Sequence, residues 1–309
     1  MNIHRMDQPK KGFPTLFDGV MWLVLYLVAA LVASLFLGLI LPEGADPGLL
    51  PESDPVAWGW VLLKNYLIQM GLFILLLLLY RALRGGRGVV ARFSAGGLNP
   101  LYLLWGIVMM LSVSVVSEPL LEWIKMDELP MPDPGRGLGA LLTTVVAAPL
   151  LEEFACRGVI LESIRTRYGI WAAWIFSSLF FGVIHLHPVM VVNAFLLGLL
   201  FAYLSLQTKS IWPGIVLHIF NNTLALMMIW TEFPGENFDG RSLAELSLRE
   251  LIPSSGAYFV VYGVALLILV LSGWNIGRKM ARLRSLEKKK EAEGEIKSRE
   301  DALNSGKKA

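Results

Sequence analysis

The sequence predicts an all-α, polytopic membrane protein with about eight transmembrane helices and both termini in the cytoplasm. Three observations carry this. The 309 residues are 55% hydrophobic and only 17% charged, whereas soluble domains carry roughly 25% charged residues. Apolar runs of the length that crosses a bilayer, about 18–25 residues, recur along nearly the whole chain. The segments between them alternate between basic and basic-poor, the pattern that sets orientation.

The runs fall near 17–41, 56–80, 99–117, 138–163, 169–187, 188–206, 211–230 and 256–274. The first is longer than the ~7–15-residue core of a signal peptide and has no small-x-small cleavage site close behind it, so it reads as span one. Arg5, Lys10 and Lys11 precede it, and loop 42–55 then holds Glu43, Asp46, Glu52 and Asp54 without a basic residue. Loop 81–98 carries Arg81, Arg84, Arg87 and Arg92, and segment 118–136 is mainly acidic. Arg165 and Arg167 lie between spans four and five, Lys209 between six and seven, and segment 231–254 is net acidic. The tail opens with Arg278, Lys279, Arg282, Arg284 and the run Lys288 to Lys290. Positive-inside therefore puts both termini in the cytoplasm, as an even number of spans requires.

The domain reading is one membrane-embedded unit over 1–275, with a motif core at 138–230, and a charged cytoplasmic tail over 276–309. The tail is expected to be a solvated helix or disordered. Residues 243–252, LAELSLRELI, have leucines at helical spacing and are expected at the outer interface. Cys156 is the single cysteine, which excludes an internal disulfide. The chain leaves no soluble domain of useful size and gives no sign of a nucleic-acid partner. Its place is integral and multi-pass, in the plasma membrane if the source is prokaryotic, with the lipid bilayer as its first partner.

Ionisable residues inside spans are functional suspects, because a charge at the bilayer centre costs at least ~2.5–3.5 kcal/mol. Span four holds Glu152, Glu153 and Arg157 within EEFACR; span five holds His185 within FFGVIHLHP; span seven holds His218 and Asn222 within GIVLHIFNN. Lys64 sits near the outer end of span two, where it can snorkel, and has no assigned role. Glu153 and Arg157 are four apart and can neutralise each other as a structural pair. Glu152 is turned about 100° from Glu153 and has no partner within its own helix. His218 and Asn222 share one face of span seven, and Phe181 precedes His185 by one turn on span five.

Each of these residues alone reads as packing or interhelical glue. Together, on three helices, they suit hydrolysis. A carboxylate shielded from bulk water can take a proton from water, while imidazoles and an asparagine amide hold that water or donate to an oxyanion. Glu152, His185 and His218 could equally supply three ligands to Zn²⁺ and leave a fourth position open for water. Peptide cleavage is the natural candidate for either route.

Glu-Glu-x-x-x-Arg, then Phe-x-x-x-His, then His-x-x-x-Asn, in order on successive helices, resembles the CAAX-protease and bacteriocin-processing (CPBP, or Abi) family, which includes the Rce1-type CAAX prenyl endopeptidases. The likeness covers residues 138–230; spans one to three and eight match in number and hydrophobicity. It implies an eight-helix intramembrane protease with an aqueous cavity, acting on membrane-associated and in some members lipidated substrates. By the family pattern Glu152 is the water-activating base, His185 positions the water or substrate, and His218 and Asn222 stabilise the oxyanion. Glu153, Arg157 and Phe181 support them. Members are described both as metalloproteases and as glutamate-dependent without a catalytic metal; Asn222 is a poor zinc ligand and suits an oxyanion hole better.

Two readings from other classes compete. One is a proton- or ion-coupled transporter using Glu152 and His185 as a relay, against which stands the lack of inverted-repeat symmetry and of broken paired helices. The other is a non-catalytic scaffold or immunity factor of the same fold. One geometric point resists the family picture. Counting 1.5 Å per residue from the turn near Arg167 places Glu152 at ~20 Å and His185 at ~27 Å, which calls for tilted or shifted helices.

Overall fold

The computed structural model describes residues 12–46, 48–86, 90–94, 97–124, 131–231 and 242–306. Regular structure among them is helical, with no strand. Seven helices are long and apolar enough to cross a membrane, and one of these, Gly137–Val183, has 47 residues. That is more than twice what one span needs.

Gly169 resolves the excess. Its backbone, at φ 78° and ψ −179°, lies in a region essentially reserved for glycine, and the chain folds back there. Across the fold Ser177 Oγ donates to Cys156 O at 3.1 Å. The two arms are therefore separate helices, and the eight predicted segments become α1 (Leu16–Leu35), α2 (Pro55–Leu83), α3 (Pro100–Ile124), α4 (137–168), α5 (170–183), α6 (Pro188–Thr208), α7 (Trp212–Trp230) and α8 (Ser255–Gly306).

Local chemistry sets where these helices begin. Thr15 and Asp18 form a reciprocal capping box ahead of α1, satisfying two of its otherwise orphaned N–H groups. The Asp54 side chain accepts from Ala57 N at 2.9 Å ahead of α2, and Pro55 takes the first position, where no N–H is needed. Residues 243–252, with leucines at helical spacing, do not form one continuous helix. They make two short turns, Leu243–Glu245 and Leu248–Leu251, each opened by its own Ser–Glu capping box. Ser247 caps the second turn, so the first cannot continue through it. The described part of the tail is helical, because α8 runs unbroken to Gly306.

Contacts between connecting segments define two ends. At one, Arg84 pairs with Asp18 at 2.8 Å, Arg167 donates to Pro14 O at 2.8 Å, Ile211 N donates to Arg92 O at 2.9 Å and Arg165 pairs with Glu287 at 2.7 Å. The start of α1 and the extension of α8 thus share an end with the basic turns, as an even number of crossings demands. At the other end Arg136 N donates to Pro55 O at 2.7 Å, Trp230 Nε1 to Gly135 O at 3.0 Å and Leu248 N to Glu118 Oε1 at 3.0 Å. The predicted basic residues Arg5, Lys10, Lys11 and Arg87 lie outside the described residues.

The core lies around α4, α5 and α6, where Ile160, Leu161, Ile170, Phe181, Phe201 and Leu204 are buried. Leu31, Leu75, Leu104, Phe259 and Leu267 point outward. An apolar outer surface is what lipid solvates, and it fits the integral, multi-pass placement. Lys64 is exposed on α2, free to reach an interface.

Candidate active site

Helix α4 presents the acids in an unusual frame. Residues Ala148–Glu153 are α-helical, but π-helical turns flank them at Leu142–Ala147 and Phe154–Ile160. Pro149 accounts for the first, since it has no N–H for the carbonyl four residues back and its ring crowds that carbonyl. Such wide turns concentrate at functional sites, where they re-aim side chains.

The structure divides the two acids. Glu153 and Arg157 form an ion pair at 3.0 Å with both side chains 0% exposed. Arg157 Nη2 also donates to Gly198 O at 3.0 Å, and its guanidinium lies over the Phe181 ring, 4.3 Å from the centroid. These contacts offset part of the cost of burying a cation. Space for the Glu153 carboxylate comes from α7, because a Cβ at Gly214 would sit 2.7 Å from Glu153 Oε2. The pair is close without being aligned: both Glu153 oxygens and Arg157 Nε are buried with no hydrogen-bond partner among the described residues.

Glu152 faces the other way and is itself buried. Its Oε1 accepts a hydrogen bond from Tyr66 on α2 at 2.7 Å. Its Oε2 has no hydrogen-bond partner among the described residues and lies 4.0 Å from His185 Nε2 and 3.9 Å from His218 Nε2. Helices α4 and α7 and the turn that follows α5, which carries His185, therefore bring one carboxylate oxygen and two imidazole nitrogens to a common point. His185 Nδ1 is 2.8 Å from Phe181 O. A carbonyl only accepts, so Nδ1 carries the proton and a neutral ring turns an acceptor Nε2 toward Glu152. His218 stands between the acids, with Nδ1 3.5 Å from Glu153 Oε1. Its ring stacks on Phe201 at 5.5 Å and meets the Phe181 edge at 5.4 Å. Phe181 thus touches His185, His218 and Arg157 together.

Asn222, one turn beyond His218 on α7, has polar partners of its own. Its Nδ2 donates to Thr144 O at 2.8 Å, in the first π-helical turn, and its Oδ1 accepts from Asn221 at 3.2 Å. One of its two amide protons is thereby committed to α4. Sequence reasoning missed Tyr66 altogether; as an uncharged residue in an apolar span it carries no signal, and its distance to Glu152 is set by how α2 packs on α4.

The rise mismatch also finds its cause. The chain reverses at Gly169, and Glu152 precedes it by 17 residues while His185 follows by 16. The two residues are thus opposite each other across the fold.

For zinc, the donor set is the wrong size. Zinc–ligand bonds of 2.0–2.1 Å place tetrahedral ligand atoms about 3.3 Å apart. Glu152 Oε2 stands 4.0 and 3.9 Å from the imidazole nitrogens, and no group of three His, Cys, Asp or Glu among the described residues is arranged to hold a metal ion. A water molecule fits the same spacing, bridging partners at about 2.8 Å. Nothing in the arrangement supports a metalloprotease.

Residues 134–224 match the family described as "Type II CAAX prenyl endopeptidase Rce1-like", a range that holds every predicted site residue. "Putative membrane peptidase YdiL" of Bacillus subtilis (strain 168) is 28% identical over 88 residues, which are 28% of this chain and 36% of that relative. The match thus spans about a third of the relative's length. No solved structure matches the chain.

Proposed function

From the CPBP/Rce1-like family and the membrane-protease function that these matches support, we propose that the chain is an intramembrane endopeptidase in which Glu152 activates the attacking water. The observation that carries this reading is the convergence of Glu152 Oε2 with two imidazole Nε2 atoms at 4.0 and 3.9 Å. A water hydrogen-bonded to Glu152 Oε2 and His185 Nε2 gives its first proton to Glu152 as its oxygen bonds to the scissile carbonyl carbon. His185 accepts the second hydrogen bond and fixes the direction of attack. The carbonyl oxygen, now an oxyanion, takes hydrogen bonds from His218 Nε2 and from the amide proton of Asn222 that Thr144 leaves free. Collapse breaks the C–N bond, and the proton held on Glu152 passes to the leaving amine.

No step passes through a metal, so cleavage should survive a chelator, with elemental analysis finding no stoichiometric zinc. Substrates of this reading are membrane-associated peptides or proteins, lipidated or not, reached from the bilayer. The test is comparative proteomics of membrane fractions from cells carrying either the wild type or Glu152→Gln. Uncleaved precursors should accumulate in the variant alone; identical terminal peptides in both would contradict the reading.

A further inference from the structure

The candidate base has a partner outside the matched range 134–224. Glu152 has several side-chain torsions and no partner within its own helix, so something else must decide which oxygen faces the imidazoles. Tyr66, 86 residues earlier on α2, donates to Oε1 at 2.7 Å. With Oε1 held, Oε2 is the oxygen turned to both Nε2 atoms, and it has no hydrogen bond of its own among the described residues. We propose that Tyr66 is a positioning residue: its hydroxyl selects the carboxylate rotamer that presents Glu152 Oε2 to the water.

A second tyrosine serves the opposite wall. Tyr26 on α1 donates to Ile184 O at 2.6 Å, one residue before His185, whose own Nδ1 is tied to Phe181 O. Leu186, just beyond, has a left-handed backbone at φ 59°, so the Tyr26 bond anchors a tight turn that bears an imidazole. Each arm of the α4–α5 fold is thus pinned beside its functional side chain by a hydroxyl from the N-terminal half. The matched range alone does not make the whole site; α1 and α2 complete it.

This rests on Glu152 being the base, and the experiment separates the two claims. In full-length protein in lipid nanodiscs, infrared difference spectra between wild type and Glu152→Gln isolate the Glu152 carboxyl band. Tyr66→Phe should shift that band. On a precursor that wild type cleaves and Glu152→Gln does not, it should lower kcat ~10–100-fold, the scale of a small misplacement of a reacting group. KM and melting temperature should not change, and 3-fluorotyrosine at position 66, which keeps the donor, should restore the rate. An unmoved band, or wild-type kcat in Tyr66→Phe, overturns the proposal and leaves the peptidase reading standing. So does a lowered melting temperature with an unmoved band, which would make Tyr66 a structural tether. Normal cleavage by Glu152→Gln overturns Glu152 as the base instead, and the band still decides the hydrogen bond.

Discussion

Glu152 and Glu153 are neighbours in sequence with different surroundings, and the difference is the centre of the site. Glu153 is enclosed with Arg157, with both side chains 0% exposed. Removing one partner of such a pair leaves an uncompensated buried charge. Arg157→Met should therefore destabilise the fold by ~3–5 kcal/mol, read as earlier thermal unfolding in detergent; Glu153→Gln combined with Arg157→Met should recover much of that loss. A Cβ at Gly214 would crowd Glu153 Oε2 at 2.7 Å, so Gly214→Ala should displace the carboxylate that faces His218 Nδ1 and reduce cleavage. Wild-type cleavage by that variant would show that the Glu153–His218 contact is dispensable. The division of the acids was legible from spacing alone, because four residues share a helical face and adjacent residues do not. Tyr66 was not legible. A tyrosine costs little in an apolar span, and only the packing of α2 against α4 brings its hydroxyl to Glu152.

At the scale of elements, the fold between α4 and α5 aligns the first two motifs, and Gly169 makes it possible. A side chain at φ 78°, ψ −179° costs ~1–3 kcal/mol, so Gly169→Ala should lower thermal stability by about that much. Gly273→Ala is the control, in α8 with nothing within 4 Å of a new Cβ; it should be neutral or slightly stabilising, since glycine is a poor helix former. Equal effects of the two substitutions would mean that the turn bears no strain at Gly169. The motif spacings were readable on the assumption of regular α-helix, but the pivot and the π-helical turns were not. Counting from Arg167 left Glu152 and His185 at different depths; the glycine two residues on makes them level. The π-helical turn before Pro149 could have been suspected from the proline. The one at Phe154–Ile160 has no comparable marker, and we have no sequence-level account of it.

At the scale of the molecule, the span positions were legible because lipid demands long apolar runs, and the alternation of basic loops survives as the two ends defined by contacts. The packing order of the helices was not legible, since outward-facing and inward-facing leucines look alike in sequence. The expected cytoplasmic side of the basic end can be measured directly, because native Cys156 is 0% exposed and silent. Glu43→Cys should react with a membrane-impermeant thiol reagent on intact cells, and Arg284→Cys only after permeabilisation; the reverse would invert the topology. The account as a whole turns on Glu152, and purified protein in proteoliposomes tests it most directly, using a precursor identified from membrane fractions. With folding unchanged, Glu152→Gln should lower kcat by the ~10²–10⁴-fold that a positioned general base contributes. Cleavage by Glu152→Gln at the wild-type rate would contradict the account.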